Sequence, residues 1–564
     1  MRHRLILALA VVTILPAVSH AQRAKNVILM ISDGAGDTTW RAANQWQFGA
    51  AAGTAPQFQQ QYESTAFKKN WVSTHSGFNQ PLPPGQTDVR LGLPAGSLPR
   101  NLPRLWNEIP FPNFGSYDPV RANDPTLGNV HIFTDRTRSL FPNRGTPYNL
   151  TPVASNPPII RNLANSLQAG GSVTVNRQIG PLAYDYLIWD SITDSASAGS
   201  ALASGVKTYN SAINVIDTGT SLQSVPFLTQ HVKALGKSAG VVTTKPFTDA
   251  TPAVFGTSNE FRDNESQISE AMINNGLLDV IISPGHPEFG TGGAPRTPNY
   301  STVSQANLSA LRAGASGGAN PWTFVDSAST LASIASGATP APSRLFGLVP
   351  VSSALNSRNT AGQTNAFDPR VHTPGNVPEG VVPFVMPDLA DLASAALNTL
   401  SKNPEGFFAM IEGASVDSAA HANNLPQLVE EQLAFNRSVD RVIQWVETNS
   451  NWEETLLIVT SDHANGLFLG PDSATIPFQD PVANAAGQLP SGIFWTTNHT
   501  NELVPMWTRG PGGDLFSSLF DGTDPRRGLY LDNTDIHRVM VTVIPEPAAL
   551  TLLIPAALLG LRRR

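Results

Sequence analysis

Five short, almost continuously apolar runs punctuate the chain, and most of them end on polar or charged residues. They are NVILMISDG (26–34), a run around Val241–Thr243 inside SAGVVTTKPFTDATP, GLLDVIISPG (276–285), GFFAMIEGAS (406–415) and ETLLIVTSDH (454–463). Apolar runs without polar alternation fit strands buried on both faces, as in a parallel sheet. Helical spacing lies between them. Leu389, Leu392, Ala396 and Leu400 share one face, and so do Leu428, Phe435, Val439, Val442 and Val446. Strands alternating with helices predict an α/β fold: a doubly wound, mostly parallel central sheet with helices on both faces.

Two regions break that rhythm. Residues about 75–180 are rich in Pro, Asn and Arg, and residues about 286–380 in Gly, Pro and Ser, and neither shows a sustained period. Structureless loops of that length are rare inside one domain, so both read as insertions on a core that spans 22–540. The two ends read as processing signals. Residues 1–21, MRHRLILALAVVTILPAVSHA, have a basic start, an apolar middle and a small-residue end, the pattern of a secretory signal peptide. Export to the periplasm, outer surface or extracellular matrix is the expectation. Residues 541–564 carry Pro545, Glu546 and Pro547, then an apolar run interrupted by Pro555, then Arg562–Arg564. That run is shorter than the roughly 20 residues of a spanning helix. It resembles the PEP-CTERM sorting tail, which implies a sorting enzyme acting there as a partner.

Composition narrows the chemistry. The chain of 564 residues has no cysteine, which excludes disulfides, thiolate metal sites and cysteine nucleophiles. Its formal net charge of -7 gives no basic face for nucleic acid. In open α/β sheets ligands bind beyond the carboxyl ends of the strands. Those ends deliver Asp33, then Asp249 and Thr251, then Glu412, Asp417 and His421, then Asp462 and His463, with His499 later in TTNHTNELVP. A lone aspartate after a strand is most often a cap or turn former. Four carboxylates converging from separate segments, however, repel one another unless cations intervene. Oxygen and imidazole donors suit zinc where histidine is present, and magnesium where only oxygens meet.

The remaining candidate is a hydroxyl. SITDSASAGSALASG (191–205) holds five serines after the strand-like YDYLIW. The segment TDSASAGSALASGVKTYNSA resembles the nucleophile block of alkaline phosphatases. DGAG, DATP, EGASVD followed by AAHA, and TSDHA resemble that family's other blocks, in the same order. The resemblance implies a two-zinc, one-magnesium site. Asp417, His421 and His499 hold one zinc. Asp33, Asp462 and His463 hold the second, with Ser195 as its reacting ligand. Asp33, Thr251 and Glu412 hold magnesium, with Asp249 counted among the metal-site residues. Arg262 clamps the phosphate and Asp194 orients it. The implied substrates are phosphate monoesters, hydrolysed through a phosphoserine. The alternatives are a phosphodiesterase or sulfatase of the same superfamily, or a matrix-associated structural protein with a relic site. Dimerisation is implied by the family alone.

Elementary chemistry supports these roles. A serine hydroxyl without a histidine base needs metal coordination to react near neutral pH. A helix starting at Ser195 would aim N–H groups at the phosphate. Ser418 departs from the family pattern, which places lysine or histidine after this aspartate. The expectation is weak product binding, tightened by Ser418→Lys. Ser195→Ala should abolish turnover, whereas Ser200→Ala should change little.

Overall fold

The computed structural model describes residues 23–49, 67–75, 192–217, 221–355 (without 292 and 319) and 386–544, with isolated residues between 87 and 188. The signal-like segment 1–21 and the tail from 545 lie outside the described residues. Eleven strands among them form one sheet: β1 (Asn26–Ser32), β2 (Lys68–Ser73), β3 (Ser238–Thr243), β4 (Val280–Ser283), β5 (Thr323–Val325), β6 (Leu345–Leu348), β7 (Phe407–Gly413), β8 (Thr455–Thr460), β9 (Val504–Arg509), β10 (Gly522–Asp524) and β11 (Gly528–Asp532). Their order is β10-β11-β2-β9-β8-β1-β7-β3-β4-β6-β5. From β8 to β5 every pairing is parallel, while β9 runs antiparallel to both β8 and β2.

The apolar runs become central strands because both faces of the sheet are covered. In β1, Val27, Leu29 and Ile31 enter one core cluster, while Ile28 and Met30 enter the other. Strand β7 divides the same way, with Phe408 and Met410 on one side and Phe407, Ala409 and Ile411 on the other. The first face is covered by helices α1 (Ser195–Ser204) and α8 (Thr534–Val543). The second is covered by α5 (Leu389–Leu400) and α7 (Leu425–Asn449), the two helices read from apolar spacing. Each fully buried large aliphatic side chain contributes about 1.5–3 kcal/mol relative to exposure. Helix α8 buries Val543, so the packed core runs past the expected boundary at 540.

Two expectations are corrected. The loop-rich insertion expected at about 286–380 carries, in its described part up to residue 355, β5 and β6 of the main sheet with helices α3 (Gln305–Arg312) and α4 (Ala328–Ala335). These strands are only three and four residues long, too short for a periodic signal within a Gly- and Ser-rich sequence. None of the described residues of YDYLIW lies in a strand either. Leu187 and Ile188 are helical, and the Ile188 N–H donates to the Tyr184 carbonyl at 3.1 Å. No helix among the described residues is long and apolar enough to cross a membrane.

Candidate active site and metal centre

Register places the chemistry. Ile31 pairs with Glu412 on one side and with Thr460 on the other, and Glu412 pairs with Thr243. The carboxyl ends of β8, β1, β7 and β3 are therefore level, and the loops leaving them share one edge. Asp33 leaves β1 through Gly34, whose φ of +76° is left-handed. A Cβ on Gly34 would stand 2.8 Å from Asp417 Cα, so only glycine lets these two aspartates approach.

Helix α6 (Ser415–His421) puts Asp417 and His421 on one face, four residues apart. A short antiparallel pairing of Asn465 with His499 brings the third partner in from a distant segment. His421 Nε2 lies 3.4 Å and His499 Nε2 3.2 Å from Asp417 Oδ1, and the two Nε2 atoms are 3.0 Å apart. His421 Nδ1 lies 2.6 Å from the Thr497 carbonyl, and His499 Nδ1 2.7 Å from that of Thr193. A carbonyl only accepts, so both Nδ1 atoms carry protons, and each Nε2 is free to offer a lone pair inward. Burial lowers the pKa of His421. For His499 burial acts the same way, but the neighbouring Asp417 outweighs it and raises the pKa. Burial would raise Asp417, yet the two histidines and Lys245 hold it well below the usual carboxylate range.

The second group is Asp33, Asp462 and His463, all fully buried. His463 Nε2 lies 3.4 Å from Asp33 Oδ1, 3.3 Å from Asp462 Oδ2 and 3.1 Å from Ser195 Oγ. In each of the two groups the offered donor atoms lie within 4.8 Å of one another. His463 thus stands beside the Ser195 hydroxyl. It does not make a catalytic triad. In a triad the carboxylate holds Nδ1 while Nε2 faces the serine. Here both carboxylates and the serine crowd the same Nε2, and Nδ1 has no hydrogen-bond partner among the described residues. Donors converging on one small volume are arranged as ligands around a cation.

Orphaned atoms support the same fit. Asp33 Oδ1, Asp462 Oδ2, Glu412 Oε1 and Thr251 Oγ1 are buried without hydrogen-bond partners among the described residues. Unpaired buried oxygens are costly unless something absent from the polypeptide satisfies them. Burial and the neighbouring acids push Asp462 up to about 7 and Glu412 up to about 8, and they raise Asp33 as well. A bound cation would reverse these shifts by favouring the charged carboxylates. Glu412 keeps its other oxygen on the Thr243 hydroxyl at 2.6 Å. Asp249 sits differently from the rest. Its Oδ1 accepts from the Ala250 N–H at 2.9 Å and from Arg262 at 2.8 Å, and its Oδ2 is 3.6 Å from Lys245 Nζ.

Ser195 opens α1, and Asp194 caps that helix by accepting from the Ser197 N–H at 3.0 Å. The other oxygen of Asp194 holds Arg262 at 3.1 Å. Sequence reading missed Lys245 altogether. It lies in the loop after β3, its Nζ 3.8 Å from Asp417 Oδ2 as well as 3.6 Å from Asp249. The only signal was its place in TTKPFTDATP, four residues before Asp249. Lys245 brings to Asp417 a cation that Ser418, the residue after that aspartate, does not supply. Also missed was Asn465, whose amide donates to Asp417 Oδ1 at 2.7 Å.

Ser200 needs correction too. It is fully buried, donates to the Ala212 carbonyl at 3.0 Å and accepts from the Asn214 N–H at 2.8 Å. Ser200→Ala leaves both groups unpaired and should cost about 1–3 kcal/mol. Denaturant unfolding checks this, and turnover per folded molecule should be unchanged. Wild-type stability in the variant would contradict the assignment.

The family model for alkaline phosphatase matches residues 180–502, more than half of the chain. An alkaline phosphatase of Escherichia coli K12 is 30% identical over 368 residues, spanning 59% of this chain and 72% of its own length. Alkaline phosphatase 4 of Bacillus subtilis is 26% identical over 395 residues, 59% of this chain and 75% of the relative. A cold-active alkaline phosphatase from a psychrophilic Shewanella is 18% identical and shares the fold. It superposes with a TM-score of 0.52, covering 92% of this chain and 100% of that one. Matched over most of its core and built around clustered metal-ligand side chains, the chain belongs to the alkaline phosphatase family and is a phosphatase.

Proposed function

We propose that the chain hydrolyses phosphate monoesters through a phosphoserine at Ser195, at a site holding two zinc ions and one magnesium ion. The observation that carries this reading is the convergence of Ser195 Oγ, Asp33 and Asp462 on Nε2 of His463, together with the first group of Asp417, His421 and His499. Each group suits one zinc by its mixture of nitrogen and oxygen donors. Glu412, Thr251 and Asp33 offer only oxygens, which suits magnesium. When bound, such ions lower the pKa of the serine hydroxyl and neutralise charge on the transferring phosphoryl group.

The polypeptide's own contribution is positioning. Ser195 Oγ forms a bond to phosphorus while the ester P–O bond breaks, and the alcohol leaves with the proton that Ser195 gives up. Water then attacks the phosphoserine, releasing phosphate and restoring the hydroxyl. The first turn of α1 directs N–H groups toward the phosphoryl oxygens. Arg262, fixed by Asp194 and Asp249, presents a planar fork that matches two of those oxygens. Asp194 thus links the arginine to the helix that carries Ser195.

Export belongs to the same proposal and is supported by the basic, apolar and small-residue pattern of residues 1–21. The test is turnover of p-nitrophenyl phosphate against bis-p-nitrophenyl phosphate, with and without EDTA. The expected result is metal-dependent turnover, much faster for the monoester. Preference for the diester would overturn the assignment of substrate class.

A further inference from the structure

A row of side chains of alternating charge links the cap of the Ser195 helix to the Asp417 group. Asp194 holds Arg262, Arg262 holds Asp249, Asp249 faces Lys245, and Lys245 faces Asp417. Asp417 in turn meets His421 and His499. The carboxylate of Asp249 stands between two cations, with Oδ1 toward Arg262 and Oδ2 toward Lys245. One cation belongs to the expected phosphate clamp. The other has no role in any motif of the sequence.

Lys245 is placed as a ligand-binding group rather than as a structural ion pair. Its side chain is 19% exposed, so its ammonium has lost most of its water. Yet its separations from Asp249 and Asp417, 3.6 and 3.8 Å, both exceed hydrogen-bond length. An ammonium has three donors. Among the described residues those donors find long ion pairs on two sides, and a buried donor calls for an acceptor. Lys233 shows the alternative within the same molecule. It grips both oxygens of Asp279 at 3.0 and 2.7 Å, as a closed pair does.

We propose that Lys245 is a phosphate-binding residue, its ammonium donating to a phosphoryl oxygen of the bound monoester and of the product phosphate. This rests on the phosphomonoesterase reading of the site. Arg262 and Lys245 then act from either side of Asp249, the arginine as a fork and the lysine as a point charge. The helix of Asp417 offers no cation of its own at the following position, Ser418. The loop after β3 supplies one to the same carboxylate instead.

The experiment uses the enzyme loaded with zinc and magnesium, and inorganic phosphate as the probe, titrated by calorimetry. Lys245→Met should weaken phosphate binding about 10- to 100-fold, the loss of one hydrogen bond to a charged group. Metal content should be unchanged. Lys245→Gln keeps length and polarity and should show the same loss, should the methionine variant fold poorly. Ser418→Lys should restore much of the affinity in the Lys245→Met background, yet add little to the wild type. Phosphate affinity within twofold of wild type in both variants would overturn the proposal. So would a weakening that only tracks lost metal, since Lys245 would then merely neutralise carboxylates. A wild-type enzyme that neither binds phosphate nor turns over p-nitrophenyl phosphate would instead sink the functional reading itself.

Discussion

Ser195→Ala is expected to lower kcat by about 10,000-fold or more while leaving the metal content intact. The hydroxyl stands at the donor group of Asp33, Asp462 and His463, 3.1 Å from His463 Nε2. The other serines of its helix are engaged elsewhere. Ser197 donates to the Thr208 carbonyl, Ser200 to that of Ala212, and Ser204 to that of Ser200. Removing one oxygen from Ser195 leaves Asp33, Asp462, His463 and the Asp417 group untouched, so ions should still bind. Kinetics with metal analysis of the same sample checks both halves. Turnover surviving in the variant would remove Ser195 from the chemistry. Loss of metal together with turnover would make it a structural ligand instead.

Removing the metals should have the second largest effect, and it should depend on pH. Activity should fall by about a thousandfold or more with EDTA, the scale expected when Lewis-acid stabilisation of a phosphoryl group is lost. Stability should respond as well. In the metal-free protein, burial and neighbouring acids hold Asp462 at about 7 and Glu412 at about 8. In the unfolded chain such groups titrate near about 3.9 and 4.3. A carboxylate whose pKa is raised by folding contributes stability at low pH that is lost as pH rises through the folded value. These groups should therefore weaken the metal-free protein between about pH 4 and pH 8. Asp417 has the opposite sign. It is held below the usual range, so its contribution is present above about pH 4 and fades only in more acidic solution. The buried His421 and His463 are held below the usual histidine range, so they oppose the decline up to about pH 6.5 and leave it unopposed above that. Thermal unfolding after EDTA treatment should therefore show Tm falling from about pH 6.5 to pH 8. Zinc and magnesium should restore it. A metal-free Tm that is flat over this range would mean that the carboxylates are not buried together as described.

Much of the core was legible because burial on two faces leaves an unbroken apolar run. Strands β1, β7 and β8 announce themselves in this way, and the residue after each register-matched end is where donors appear. Helices α5 and α7 were legible from their apolar stripes. Strands β5 and β6 were not, because three or four residues carry no period and their flanks resemble loop. Nor were β2 and β9, on the antiparallel side, since KKNWVS and VPMWTR mix charge with apolar residues. The site divides along the same line. Residues within a motif could be named from local spacing, as with Asp417 and His421 on one helical face. Lys245 could not, because its role depends on a loop after β3 reaching an aspartate more than 150 residues away. The same holds for Ser200, whose partners in the 212–214 turn exist only once the chain has folded.

Acid quenching of the metal-loaded enzyme during turnover of a phosphate monoester, followed by peptide mass spectrometry, reads the central step directly. Phosphate on Ser195, and on no other residue of 191–205, is the expected result. A turning-over enzyme that carries its phosphate on a different side chain would contradict the assignment of Ser195.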